Sequence, residues 1–164
     1  MDKYYYFVSQ LPLLAFGQKT EWDRSRFLEE AGKWVSGMDM AALLKTNIDN
    51  FITSKETNKY LRGYQEFEKN LREELAKVRK TTATTGHKEL SILKAFNWDR
   101  TPLEIEKSLL FLRWQFIEEQ EQQHHFDVGF LIYYFLKLHI LEVLSSFDKD
   151  KGAAIFDSLC EVKG

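Results

Sequence analysis

The densest apolar stretch runs from Val128 to Leu144, where thirteen of seventeen residues are hydrophobic and they keep to no single face. A helix that is apolar all round is either enclosed by other helices or lies in a membrane. Lys137, His139 and Glu142 interrupt this one, and it falls short of the uncharged run of ~20 residues that spanning needs. The pattern predicts the central helix of a water-soluble, all-α helical bundle, with no direct membrane insertion.

The remaining chain carries local start and stop signals. Tyr4 to Val8 is apolar and needs burial, but too short for periodicity to decide between a helical turn and an extended segment. Asp23 is placed to cap a helix, with Trp22 and Phe27 at hydrophobic-staple spacing. That helix is expected to bury Phe27, Leu28, Ala31, Trp34 and Val35 and to stop at Gly37, with Asp39 capping a short successor through Leu44. Residues 46–52 read as a loop. Thr53 and Glu56 have capping-box spacing for a long helix to about Lys80. Its apolar stripe is Tyr60, Tyr64, Phe67, Leu71, Leu75 and Val78, with Glu68–Arg72 and Glu73–Lys77 pairs on the polar side. At ~1.5 Å per residue it is about 40 Å long, enough to protrude from a compact body.

TTATTG marks a hinge at 81–87 within one domain spanning 1–164, and a short helical piece is expected from Lys88 to Phe96. Thr101, Pro102 and Glu104 give the strongest helix start in the chain, for a helix to about Glu121. Asp127 then caps the central helix, with Phe126 and Leu131 as its staple. A connection as short as Gln122–Phe126 makes these two helices antiparallel neighbours. Asp148 is expected to end the central helix, before a last amphipathic helix burying Phe156, Leu159 and Cys160.

Composition narrows the function classes. Hydrophobic residues at 44% and aromatics at 15% fit a folded globule of 164 residues. A net charge of −2 supplies no field for nucleic acid or acidic lipid. A single cysteine, Cys160, rules out an internal disulfide and fits a reducing, cytoplasmic setting. Glycine-rich phosphate loops and glycine-flanked nucleophilic serines are absent from the sequence. Asp148, Asp150 and Gly152 fail the calcium-loop pattern at 152, 153 and 159. No cofactor and no catalytic residue is predicted.

Two cations stand out. Arg113 lies among Leu109, Leu110, Phe116 and Ile117, and Lys137 among Tyr133, Tyr134, Ile140 and Leu141. A buried cation must be paired. Glu106, Glu118, Asp127 and Glu142 are the carboxylates available, so an internal salt-bridge network is the leading reading and an anion or docking site the alternative. Glu121 and His124 have the Glu-x-x-His spacing that di-iron bundles use twice, here once. With Glu118 and His139 they define a metal-dependent helical-bundle enzyme as a competing hypothesis. His125 is expected to pack or hydrogen-bond at the helix junction.

The opening YYYFVSQLPLLAFG and, in order, PLEIEKSLLFLRW, HHFD, YYFLKLHILE and FDKDKG resemble an uncharacterised bacterial family encoded among V-type (A/V-type) ATPase subunits. Gln10 interrupts that family's Ser-Leu-Pro, and Glu118–Glu119 replace an aspartate-led triplet. The resemblance implies a non-catalytic soluble subunit or accessory of a rotary ATPase, sited at the inner face of the membrane with rotor or stalk subunits as partners. The assignment it suggests is a counterpart of the C-type component (d-type in eukaryotes), the all-helical cap between rotor ring and central shaft. On this reading Arg113, Trp114, His125, Asp127 and Lys137 build a rigid unit. A helical adaptor unrelated to any ATPase is the third reading.

Overall fold

The computed structural model describes residues 3–49, 58–80 and 90–161, with side chains through Asp148. Six α-helices and no strand occur among the described residues: α1 Tyr5–Gln10, α2 Arg24–Trp34, α3 Gly37–Lys45, α4 Lys59–Lys80, α5 Pro102–Glu121 and α6 Val128–Glu161. The chain is all-α, and α6 is its axis. α5 packs along α6 most extensively, and α2, α3 and α4 close on its other sides. Residues 131–141 of α6 are all buried as a result. The span Val128–Asp148 is long and apolar enough to cross a membrane by composition, yet 67% of its apolar 18-residue window is buried inside the fold.

Local chemistry explains most helix starts. The Asp23 side chain accepts from the Arg26 N–H at 2.7 Å, while Trp22 and Phe27 are both buried. Thr101 and Glu104 form a reciprocal capping box with Pro102 at the first turn. Asp127 Oδ1 accepts from the Phe130 N–H at 2.9 Å and opens α6. Asn58 Oδ1 takes the N–H groups of Tyr60 and Leu61 at the start of α4. The expected Thr53–Glu56 box, the hinge at 81–87 and the side chains of Phe156, Leu159 and Cys160 lie outside the described residues.

Five expectations are corrected. α2 ends earlier than Gly37, at Trp34, with Val35 extended. Gly37 instead begins α3, capped by Ser36 Oγ, and Asp39 sits inside the first turn. Trp34 is 48% exposed, so α2 does not bury it. Residues 90–96 form no helix, because Glu74 captures their backbone: its carboxylate accepts from the N–H groups of Ser91, Ile92 and Leu93 and from Ser91 Oγ, at 2.8–3.1 Å. Finally, α6 does not stop at Asp148. No proline interrupts DKDKGAA, and one helical glycine costs only ~1 kcal/mol, so the helix runs on to Glu161.

The core has two parts. The larger joins α1, α2 and α3 through Phe7, Phe27, Ala31 and Leu43 to the α6 residues Leu131 to Leu144. The smaller packs Leu71 of α4 and Leu109 of α5 against Leu90 and Leu93, and Phe67 touches both parts. The 90–98 segment thus covers the second half of α4.

Candidate functional site

Arg113 and Lys137 sit on the inner faces of α5 and α6, and both are paired. Arg113 Nε and Nη2 each donate to the Glu68 carboxylate of α4 at 2.8 Å. Glu68 is fully buried, and it also accepts from Arg72 Nε at 3.0 Å. Burial alone would lower the Arg113 pKa, but the hydrogen bonds and charge of Glu68 reverse that, and the guanidinium is held above its ordinary value. The partner therefore is none of Glu106, Glu118, Asp127 or Glu142. It is a residue expected on the polar side of α4. The sequence signal for it was its step of three from Leu71 and of four from Tyr64, both of which are buried.

Lys137 makes a second knot, between α6 and α5. Its ammonium contacts the Glu121 carboxylate, lies 3.7 Å from Glu118 Oε1, and sits 5.1 Å from the centroid of the buried Trp114 ring. Burial pushes the Glu121 pKa up, with Lys137 opposing the shift. The Trp114 ring also meets Phe16 edge-on, tying residues before α2 to the same pair of helices.

At the α5–α6 junction His124, rather than His125, makes the expected contacts. His124 Nδ1 is 2.9 Å from Asp127 Oδ2, and its ring packs on Tyr60 and Tyr133. His125 and Glu106 are exposed. Burial raises the Tyr133 hydroxyl pKa to about 12. The residues nominated for a metal are dispersed: Glu121 faces Lys137, His124 faces Asp127, and His139 accepts from the Ile48 N–H at 3.4 Å. No group of three or more metal-ligating side chains converges among the described residues.

Glu142 is claimed from elsewhere. It accepts from the Arg24 backbone N–H at 2.9 Å and from Arg24 Nε at 2.6 Å, fastening the start of α2 to α6. Clefts of about 490 Å³ and 720 Å³ both include Glu142 in their walls, and the smaller includes Arg24 as well.

The surface feature that sequence reasoning missed is a ladder of aromatic rings. Phe126 meets Tyr5 edge-on at 4.9 Å, Tyr5 meets Tyr6 at 5.8 Å, and Tyr6 stacks on Trp34 at 6.3 Å. Tyr5, Tyr6 and Trp34 are 52%, 70% and 48% exposed, so the rings line up on the outside. α1 is held there from beneath: Tyr4 N–H donates to the Phe126 carbonyl at 2.9 Å, and the Tyr4 hydroxyl bonds Asp39. Phe126 adopts a left-handed φ of +26°, a conformation that non-glycine residues rarely take. The YYYFV run carried this signal in part, since only Tyr4 and Phe7 of it are buried.

Residues 88–162 match a family described as "Protein of unknown function (DUF2764)". The matched segment contains α5, α6 up to Glu161 and the Glu74-bound loop, and with them Arg113, Trp114, Asp127 and Lys137. No curated protein and no solved structure matches the chain.

Proposed function

We propose that this chain is a non-catalytic helical element of a bacterial V-type ATPase, a soluble subunit or accessory that transmits position or torque through helix contacts. The observation that carries the docking part of this reading is the ladder Phe126–Tyr5–Tyr6–Trp34, whose last three rings are exposed. Contiguous exposed apolar patches mark interaction sites, and tyrosine and tryptophan are favoured interface anchors. The ladder is carried by α1 and α2 and meets the α5–α6 junction at Phe126, and the buried cations of that helix pair are compensated, Arg113 by Glu68 of α4 and Lys137 by Glu121, which makes a stiff platform. The ATPase itself comes from the resemblance of the 102–152 landmarks, a counterpart of the helical cap between rotor ring and shaft being the finer assignment. The metal-dependent enzyme gains no support from the dispersed Glu121, His124 and His139. The test is a tagged pull-down from gently solubilised host membranes, read by mass spectrometry. Recovery with rotor or shaft subunits in stoichiometric amount supports a subunit, and recovery with partial assemblies only supports an accessory. Recovery of no ATPase subunit at low salt leaves the unrelated adaptor as the better reading.

A further inference from the structure

Residues 46–49 pass between α3 and α4 and are pinned from two sides. The Ile48 N–H donates to His139 Nδ1 on α6 at 3.4 Å, and the Ile48 carbonyl accepts from the Tyr64 hydroxyl on α4 at 2.8 Å. Ile48, Tyr64 and His139 are all buried. The Thr46 hydroxyl anchors the near end on the Ala42 carbonyl at 2.9 Å. Thr46 and Asn47 also form one wall of the 490 Å³ cleft, facing Arg24 and Ser25 of α2 and Phe135 and Glu142 of α6.

We propose that residues 46–49 are an acid-released strap beside this cleft, latched by the hydrogen bond from the Ile48 N–H to neutral His139. A neutral imidazole accepts at Nδ1 only as the Nε2–H tautomer, whereas an imidazolium donates from both nitrogens. Protonation therefore sets one N–H against another and removes the α6 anchor, leaving the Tyr64 hydroxyl as the hydrogen bond that still holds the Ile48 backbone. The charged surroundings are mixed. Arg24 from α2 opposes a second positive charge, while Asp49 on the strap and Glu142 on α6 favour it. Asp49 is drawn towards Arg72 of α4 at 3.6 Å, Glu142 is engaged by Arg24, and Lys45 of α3 lines the same cleft. Burial first, and Arg24 second, hold the imidazole below its ordinary value of 6.5. The latch is thus closed near neutrality and opens in acid. This inference does not depend on the ATPase assignment.

Native-state amide exchange on the full chain tests it, with imidazole titration followed by NMR. Protection of the Ile48 amide, corrected for intrinsic exchange and taken relative to Leu136 in α6, should fall roughly five- to tenfold as His139 protonates, the worth of one neutral hydrogen bond. His139→Gln should abolish that pH step. Tyr64→Phe, which cuts the other anchor, should lower Ile48 protection at neutral and acid pH alike and serves if His139→Gln does not fold. An Ile48/Leu136 ratio that stays constant while His139 titrates would overturn the proposal. So would a step that persists in His139→Gln, or a His139 that fails to titrate above about pH 4.

Discussion

Arg113 reaches across from α5 to a carboxylate with no access to water, so its removal strands a charge. Arg113→Ala is expected to cost about 3 kcal/mol, the lower end of the 3–5 kcal/mol for breaking a buried pair, because Arg72 still touches Glu68. The double change Glu68→Leu/Arg113→Met should recover most of that loss, since apolar replacement of a buried pair is often neutral. Urea unfolding of the three proteins checks both statements. A loss of stability in the double variant equal to that of Arg113→Ala would show that packing, not the stranded charge, sets the cost. Gly129 poses a smaller problem of space: a Cβ there would sit 2.8 Å from the Tyr60 ring, which is itself packed on His124 and Tyr133. Gly129→Ala gains up to ~1 kcal/mol of helix propensity against ~1–3 kcal/mol of overpacking, so a net loss of up to about 2 kcal/mol is expected by the same measurement.

Among the elements, the segment at 90–98 depends on one carboxylate. Burial would raise the Glu74 pKa, but the N–H donors of Leu93, Ser91 and Ile92 and the Ser91 hydroxyl outweigh it and hold the pKa below its ordinary 4.5. A depressed carboxylate contributes stability that is complete above its unfolded value and lost as pH falls through the folded one. Glu74→Ala should therefore cost about 2–3 kcal/mol at neutral pH and flatten the acid limb of stability below about pH 4.5, as pH-dependent urea melts would show. An acid limb unchanged by Glu74→Ala would mean that other carboxylates govern it. This element also marks where sequence reading ran out. Capping boxes and staples involve residues three to five apart, so Asp23, Thr101–Glu104 and Asp127 were legible as helix starts. The Glu74–Leu93 and Glu68–Arg113 contacts join residues 19 and 45 apart, and no local rule reports them. In sequence Asp39 alone reads as the cap of the third helix, whereas the extended backbone at Ser36 makes that residue the cap and leaves Asp39 in the first turn.

At the scale of the whole molecule, α6 is a single rod of 34 residues, about 50 Å long, with its first half enclosed. Its all-round apolarity was legible because burial on all sides needs no particular face. The ladder of rings was not, because an exposed tyrosine and a buried one read alike in a run such as YYYFV. The ladder is also where the functional claim is most exposed to test. Tyr6→Ala and Trp34→Ala remove one mostly exposed ring and one half-exposed ring, so together they should leave stability within about 1 kcal/mol while removing the proposed anchors. The decisive measurement is a paired pull-down from host membranes, using wild type and the Tyr6→Ala/Trp34→Ala protein, with both shown by circular dichroism to be equally folded. The account predicts that wild type brings down V-type ATPase rotor or shaft subunits and that the double variant loses at least tenfold of that recovery. Recovery of ATPase subunits undiminished by the double change would contradict the assigned docking surface, and their absence from the wild-type sample would contradict the assignment to the ATPase itself.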